Sequence, residues 1–196
     1  ILPAERVIRA YKRNQNTIVA KNTLQNTSQT DFYNTFVPTI IVKNLDNDNY
    51  RDILTADTDG DVMIFEIKND NLHELAWSHR MPIGNTYSLA SGDFDGNGKQ
   101  DFFVGGYYKD SLDPNRNFWY FEGFKNLSNN NYSSMGSVMF NEVTSQNSIL
   151  AHDLDNDGND ELILAIAPNL YVLKYVNGKF KPKYCGQSFR TYALMA

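Results

Sequence analysis

Apolar residues along this chain gather in short runs rich in β-branched and aromatic side chains, and clusters of Asp, Asn and Gly separate them. That punctuation predicts strands joined by tight turns. Three of the clusters share one nine-residue frame: Asn44 to Asp52, Asp93 to Asp101 and Asp153 to Glu161, here loops 1, 2 and 3. A strand-like run precedes each loop (Pro38 to Val42, Thr86 to Ala90, Ser148 to Ala151), and an apolar run follows at once from Ile53, Phe102 and Leu162. Two further runs complete each unit: Val62 to Ile67 with Leu72 to Trp77, Phe118 to Phe121 with Val138 to Phe140, and Leu170 to Val176 with Phe180 to Tyr184. Asn177 and Gly178 form a two-residue hairpin signal, because both tolerate positive φ, and Asp59 with Gly60 makes a similar turn. Each unit reads strand, acidic loop, strand, hairpin, strand, strand. The loops start 49 and 60 residues apart (93 − 44 and 153 − 93).

A repeated four-stranded unit of that length is a blade of a β-propeller, so the fold expected is all-β with antiparallel four-stranded blades. The ends extend the same frame. Residues 1–35 read as a partial blade, with Ile1 to Pro3 resembling a strand that follows an acidic loop and Arg6 to Tyr11 and Thr17 to Ala20 as its outer strands. Blades follow at 36–84, 85–147 and 148–188, and Thr191 to Ala196 matches the strand Thr86 to Ser91, so 189–196 reads as the first strand of a further blade. About four repeat units in one propeller region are expected, as part of a larger ring; a closed four-bladed ring is the alternative. The chain begins at Ile1 and shows no signal-peptide pattern, which suggests a mature fragment or a piece of something longer.

Oxygen atoms on alternate residues of a tight loop converge on one point, and a cation of calcium's size takes six to eight of them. In each loop positions 1, 3, 5 and 9 carry side-chain oxygen and position 7 offers a backbone carbonyl. Gly96, Gly98 and Gly158 suit the positive φ of so sharp a turn. An EF-hand is excluded, because its glutamate at position 12 is replaced by Thr55, Val104 and Leu164 inside strands. Polar turns alone account poorly for three loops in one register, each with an acid at position 9 leading into an apolar strand. The set is therefore expected to bind up to three Ca²⁺. Asp57 to Asp61 imitates the motif, but its position 9 is Phe65, and it reads as a hairpin turn.

The pattern Asp-x-Asp-x-(Asp/Asn)-Gly-x-x-(Asp/Glu)-apolar resembles the FG-GAP/VCBS repeat of integrin α-chain head propellers and many secreted bacterial proteins. The resemblance spans nearly the whole chain and implies blades, usually in seven-bladed rings, whose loops hold Ca²⁺. It implies as ligands Asn44, Asp46, Asp48, the Tyr50 carbonyl and Asp52; then Asp93, Asp95, Asn97, the Lys99 carbonyl and Asp101; then Asp153, Asp155, Asp157, the Asn159 carbonyl and Glu161. Asn44 and Asn97 replace acids, and Asn49 replaces the usual loop glycine. Loop 1 is thus expected to be the weakest site and loop 3, with four acids, the tightest. The FG and GAP signatures themselves are degenerate, the nearest being Val104 to Gly106 and Ala165 to Pro168.

Composition narrows the functions. With 18 bases against 23 acids, a net charge of −5 and no Lys/Arg block, nucleic acid is not an expected partner. Cys185 is the only cysteine, which excludes an internal disulfide; a single buried cysteine carries no redox signal. No stretch has the length of an apolar membrane span. There is no nucleophile elbow, phosphate loop, zinc-protease helix or dinucleotide fingerprint, and the paired carboxylates are accounted for as ligands, so no catalysis is expected within this segment. His73, His79 and His152 read as structural or solvated. Phe118 to Phe121, with Tyr107 and Tyr108, reads mainly as packing between blades, and secondarily as a sugar-binding platform. The segments Lys109 to Arg116 and Asn126 to Ser134 are candidate partner-contact loops. Glycosylation acceptor patterns at Asn26, Asn126 and Asn131 add little in so asparagine-rich a chain.

The function expected is a calcium-stabilised extracellular or cell-surface module, a scaffold for adhesion or for recognition of a protein or glycan ligand, in contact with further blades or another subunit. The alternative is the carbohydrate- or substrate-binding propeller of a larger secreted lyase or phospholipase.

Overall fold

The computed structural model describes residues 7–26, 36–69, 72–84, 86–141 and 147–187. The strands expected at Ile1 to Pro3 and Thr191 to Ala196 lie outside them. A two-stranded sheet comes first, β1 (Val7–Asn14) with β2 (Thr17–Gln25). Three four-stranded antiparallel sheets follow. Blade 1 is β3 (Phe36–Lys43), β4 (Arg51–Asp57), β5 (Asp61–Asn69) and β6 (Leu72–Arg80). Blade 2 is β7 (Thr86–Gly92), β8 (Asp101–Tyr108), β9 (Phe118–Ser128) and β10 (Asn131–Phe140). Blade 3 is β11 (Asn147–His152), β12 (Glu161–Ile166), β13 (Asn169–Val176) and β14 (Lys179–Gln187). Within every blade the strands pair in chain order. The architecture is that of propeller blades, although the described sheets do not close into a ring, so the closed four-bladed alternative is not realised among them. No described helix is long and apolar enough to cross a membrane.

The first strands sit side by side, β7 between β3 and β11, and the Ser88 hydroxyl bonds Asn147 Oδ1 across that seam. The cores lie between blades, because alternate residues of a strand point to opposite faces and here both faces are covered. On β8, Phe102 and Val104 pack against Leu54, Val62 and Ile64 of blade 1, whereas Phe103 turns toward Leu162 and Leu164 of blade 3. A third cluster joins Leu24 of β2 to Ile53, Met63 and Phe65. Gly105 is required by this packing: a Cβ there would collide with the Phe121 ring.

The aromatic run packs as its main reading has it. Trp119 and Phe121 are fully buried in the core between blades 2 and 3, which removes Trp119 from any sugar platform. Tyr108 stacks on Phe118 at the surface, with ring centroids 4.9 Å apart. His79 is stacked on Trp77 and edge-on to Phe124 at 4.8 Å. Two expectations change. The segment Asn126 to Ser134 is not a loop but the end of β9, a tight turn at Asn129 and Asn130, and the start of β10. Cys185 is exposed on β14 rather than buried.

Candidate metal centre

Each acidic loop connects the first strand of a blade to its second, and the chain reverses there by using left-handed backbone at position 4. Asn47, Gly96 and Asn156 have φ of 64°, 71° and 58°. Asparagine is among the side chains that tolerate this region, which explains how loops 1 and 3 manage without glycine there. At position 6, Gly98 and Gly158 are also left-handed, at 79° and 91°. Asn49 of loop 1 is not among the positive-φ residues.

Recurring hydrogen bonds fix the side chains. The position-2 N–H donates to the carboxylate at position 9: Leu45 to Asp52 at 2.7 Å, Phe94 to Asp101 at 3.3 Å and Leu154 to Glu161 at 2.8 Å. The position-7 N–H donates to position 5: Tyr50 to Asp48, Lys99 to Asn97 and Asn159 to Asp157. Asp93 and Asp153 accept the N–H groups of positions 5 and 6. Asn44 instead donates its amide to the Asp48 carbonyl.

Carboxylate oxygens within 4.8 Å of one another come together three times: Asp46, Asp48 and Glu66; Asp93, Asp95 and Asp101; Asp153, Asp155 and Glu161. The second and third groups are drawn wholly from the expected ligands. In the first, Glu66 of β5 joins Asp46 and Asp48, while Asp52 lies close enough to feel all three charges. Asp157 is drawn to the Lys174 ammonium at 2.6 Å. Three loops in one frame are each carried between the first two strands of a blade-like sheet. Residues 44–104 match the family model of the FG-GAP-like repeat. The matched stretch runs from the start of loop 1 to the middle of β8, one full step from acidic loop to acidic loop. No curated protein matches the chain.

In all three loops the position-9 acids are fully buried. Burial, opposed by the Leu45 N–H and reinforced by Asp46, Asp48 and Glu66, pushes the Asp52 carboxyl up to about 7. Burial likewise pushes Asp101 up to about 7, with Asp95 and Asp93 adding to it. A group in that position is short of positive charge. Asp155 is the opposite case: hydrogen bonds from Lys183 and Lys174 hold it well below the usual carboxylate range.

Sequence reading missed Glu66, Lys125, Lys174 and Lys183, which all bear on the loops from later strands. Glu66 was recoverable. The turn at Asp59 and Gly60 centres the β4–β5 hairpin, and counting outward from it pairs Asp52 with Glu66.

Proposed function

We propose that this chain is a cation-stabilised segment of an extracellular or cell-surface β-propeller, a scaffold for adhesion or ligand recognition, with Ca²⁺ as the cation and no catalytic role of its own. One observation carries the reading. Buried oxygens in the acidic loops stand without hydrogen-bond partners: Asn44 Oδ1, Asp52 Oδ1 and Asp95 Oδ1. Leaving such acceptors dry and unpaired costs on the order of 1–3 kcal/mol each, more for charged groups, and a hard cation repays that cost. The donor set is oxygen throughout, which suits calcium and argues against zinc or copper.

Asp46, Asp48, Asp52 and Glu66 would hold the ion at loop 1, and Asp93, Asp95 and Asp101 at loop 2. The ion supplies charge neutralisation where two strands of a blade diverge. The surface for a partner is the Lys109 to Arg116 loop. Asp110 accepts the N–H groups of Leu112 and Asp113, and this fixes a tip on which Leu112 is 93% exposed.

Thermal unfolding with millimolar Ca²⁺ and with excess EGTA tests the proposal. A site held at a hundred times its dissociation constant adds about 2.7 kcal/mol, so a clear rise in Tm with Ca²⁺ is expected. A melting curve that EGTA leaves unchanged overturns the calcium reading.

A further inference from the structure

One register position separates the three blades. Across the first hairpin of blade 1, Asp52 pairs directly with Glu66. In blade 2 the corresponding ladder ends at Phe102–Phe124, and the next residues outward are Asp101 and Lys125. In blade 3 it ends at Leu162–Leu173, and the next residues outward are Glu161 and Lys174, which form an ion pair. Like charges directly opposite on adjacent strands repel, and opposite charges attract. The position that faces the buried acid of the loop is therefore negative in blade 1 and positive in blades 2 and 3.

The loops respond in order. In loop 3 the Lys174 ammonium lies 2.9 Å from Asp155, 2.6 Å from Asp157 and 2.8 Å from Glu161, and Lys183 bonds Asp155 and Glu161 as well. In loop 2, among the described residues, one ammonium, Lys125, meets Asp95. In loop 1, among the described residues, no ammonium pairs with Asp46, Asp48 or Asp52. Glu66 alone meets one, Lys68 at 3.2 Å, which sits closer to Glu74 at 2.7 Å.

Unpartnered buried oxygens follow the same gradient. Loop 1 has two, Asn44 Oδ1 and Asp52 Oδ1, with Asp52 0% exposed. The Tyr132 hydroxyl, also buried and unpartnered, faces the same carboxylates. Loop 2 has one, Asp95 Oδ1, and loop 3 has none among the described residues. Loop 1 is also roofed by the neighbouring blade: the Asn130 N–H donates to Asp46 at 2.8 Å, and its amide donates to Glu66.

We infer that the three acidic loops take their positive charge from different sources. Loop 1, completed by Glu66 and roofed by blade 2, depends on an external divalent cation, whereas loop 3 is neutralised by Lys174 and Lys183 of its own blade. Loop 2 is intermediate. The inference rests on the proposal that the loops take calcium, and it reverses the order suggested by counting acids, in which loop 3 is tightest. A divalent ion enters loop 3 only by displacing two ammonium groups from the carboxylates it needs. Each displaced unit charge at contact distance weakens binding by about tenfold or more.

Calorimetric titration of the chain with Ca²⁺ alone tests this, on the wild type, Glu66→Gln, Glu66→Lys, Lys174→Met and the double variant Asp153→Ala with Asp155→Ala, each checked for native β-structure by circular dichroism. The tightest step is expected to weaken at least about tenfold in both Glu66 variants and to persist in the double variant. Lys174→Met is expected to tighten the weakest step by a similar factor, and it interrogates the idea from loop 3 should a Glu66 variant fail to fold. Loss of the tightest step in the double variant, or its survival in Glu66→Lys, overturns the inference while leaving calcium binding intact. No Ca²⁺ uptake by any of the proteins overturns the calcium reading and the inference with it.

Discussion

Phe94 and Leu154 occupy the same position of successive acidic loops, yet Phe94 is fully buried and Leu154 is 47% exposed. Leu45, the third member of the series, is fully buried like Phe94. The loops themselves hardly differ at this point, since all three position-2 N–H groups bond the acid at position 9. What differs is the neighbour. Phe180 of β14 lies edge-on to Phe94 at 6.1 Å, and Asn126 of blade 2 donates its amide to the Leu45 carbonyl at 2.7 Å. Burial of an acidic loop is thus conferred by the next blade, while its shape is set by its own nine residues.

Breaking that comparison at its buried member has the largest expected effect. Phe94→Ala is expected to cost about 3–5 kcal/mol, because a large ring leaves a core formed by two blades. The shift in urea midpoint measures it. Gly105→Ala follows, at about 1–3 kcal/mol, since the new methyl group collides with the Phe121 ring in the same interface. Asn130→Gly sharpens the account of loop 1 by keeping the left-handed backbone (φ 51°) while removing the amide that reaches Glu66. Its expected cost is about 1 kcal/mol, read from the same denaturation curve. Leu154→Ala is the smallest, within about 0.5 kcal/mol of wild type. If Leu154→Ala costs as much as Phe94→Ala, burial is not the difference between them.

The blade plan was legible because its signals are local. Asp, Asn and Gly in one nine-residue frame, and Asn177–Gly178 at a hairpin, mark turns whatever surrounds them, and every strand placed within the described residues is present. The Asn- and Ser-rich segment misled for a physical reason. Residues that favour loops in isolation enter β9 and β10 because Asn126, Tyr132 and Met135 are buried there, with register shifts on either side of the Tyr132–Ser134 stretch absorbing the mismatch. The acidic residues of the loops were legible as a list, but the charge balance was not. Lys125, Lys174 and Lys183 lie 24, 13 and 22 residues beyond the acid they oppose or bond (125 − 101, 174 − 161, 183 − 161), and only strand register reveals the relation. The exposure of Leu154 and of Cys185 depends on packing between elements, which no local pattern encodes.

Because each sheet pairs its strands in chain order, the route to the folded state is set by short closures. Every ladder within a blade joins segments that follow one another along the chain, and such pairings form faster than those that must bring distant segments together. The cores are different. Phe103 of β8 shares its core with Leu162 and Leu164, which arrive some sixty residues later in synthesis (162 − 103 = 59). A blade emerging from the ribosome is therefore complete in its hydrogen bonds before it is complete in its packing. The interval between the two is when its apolar face is open to other chains.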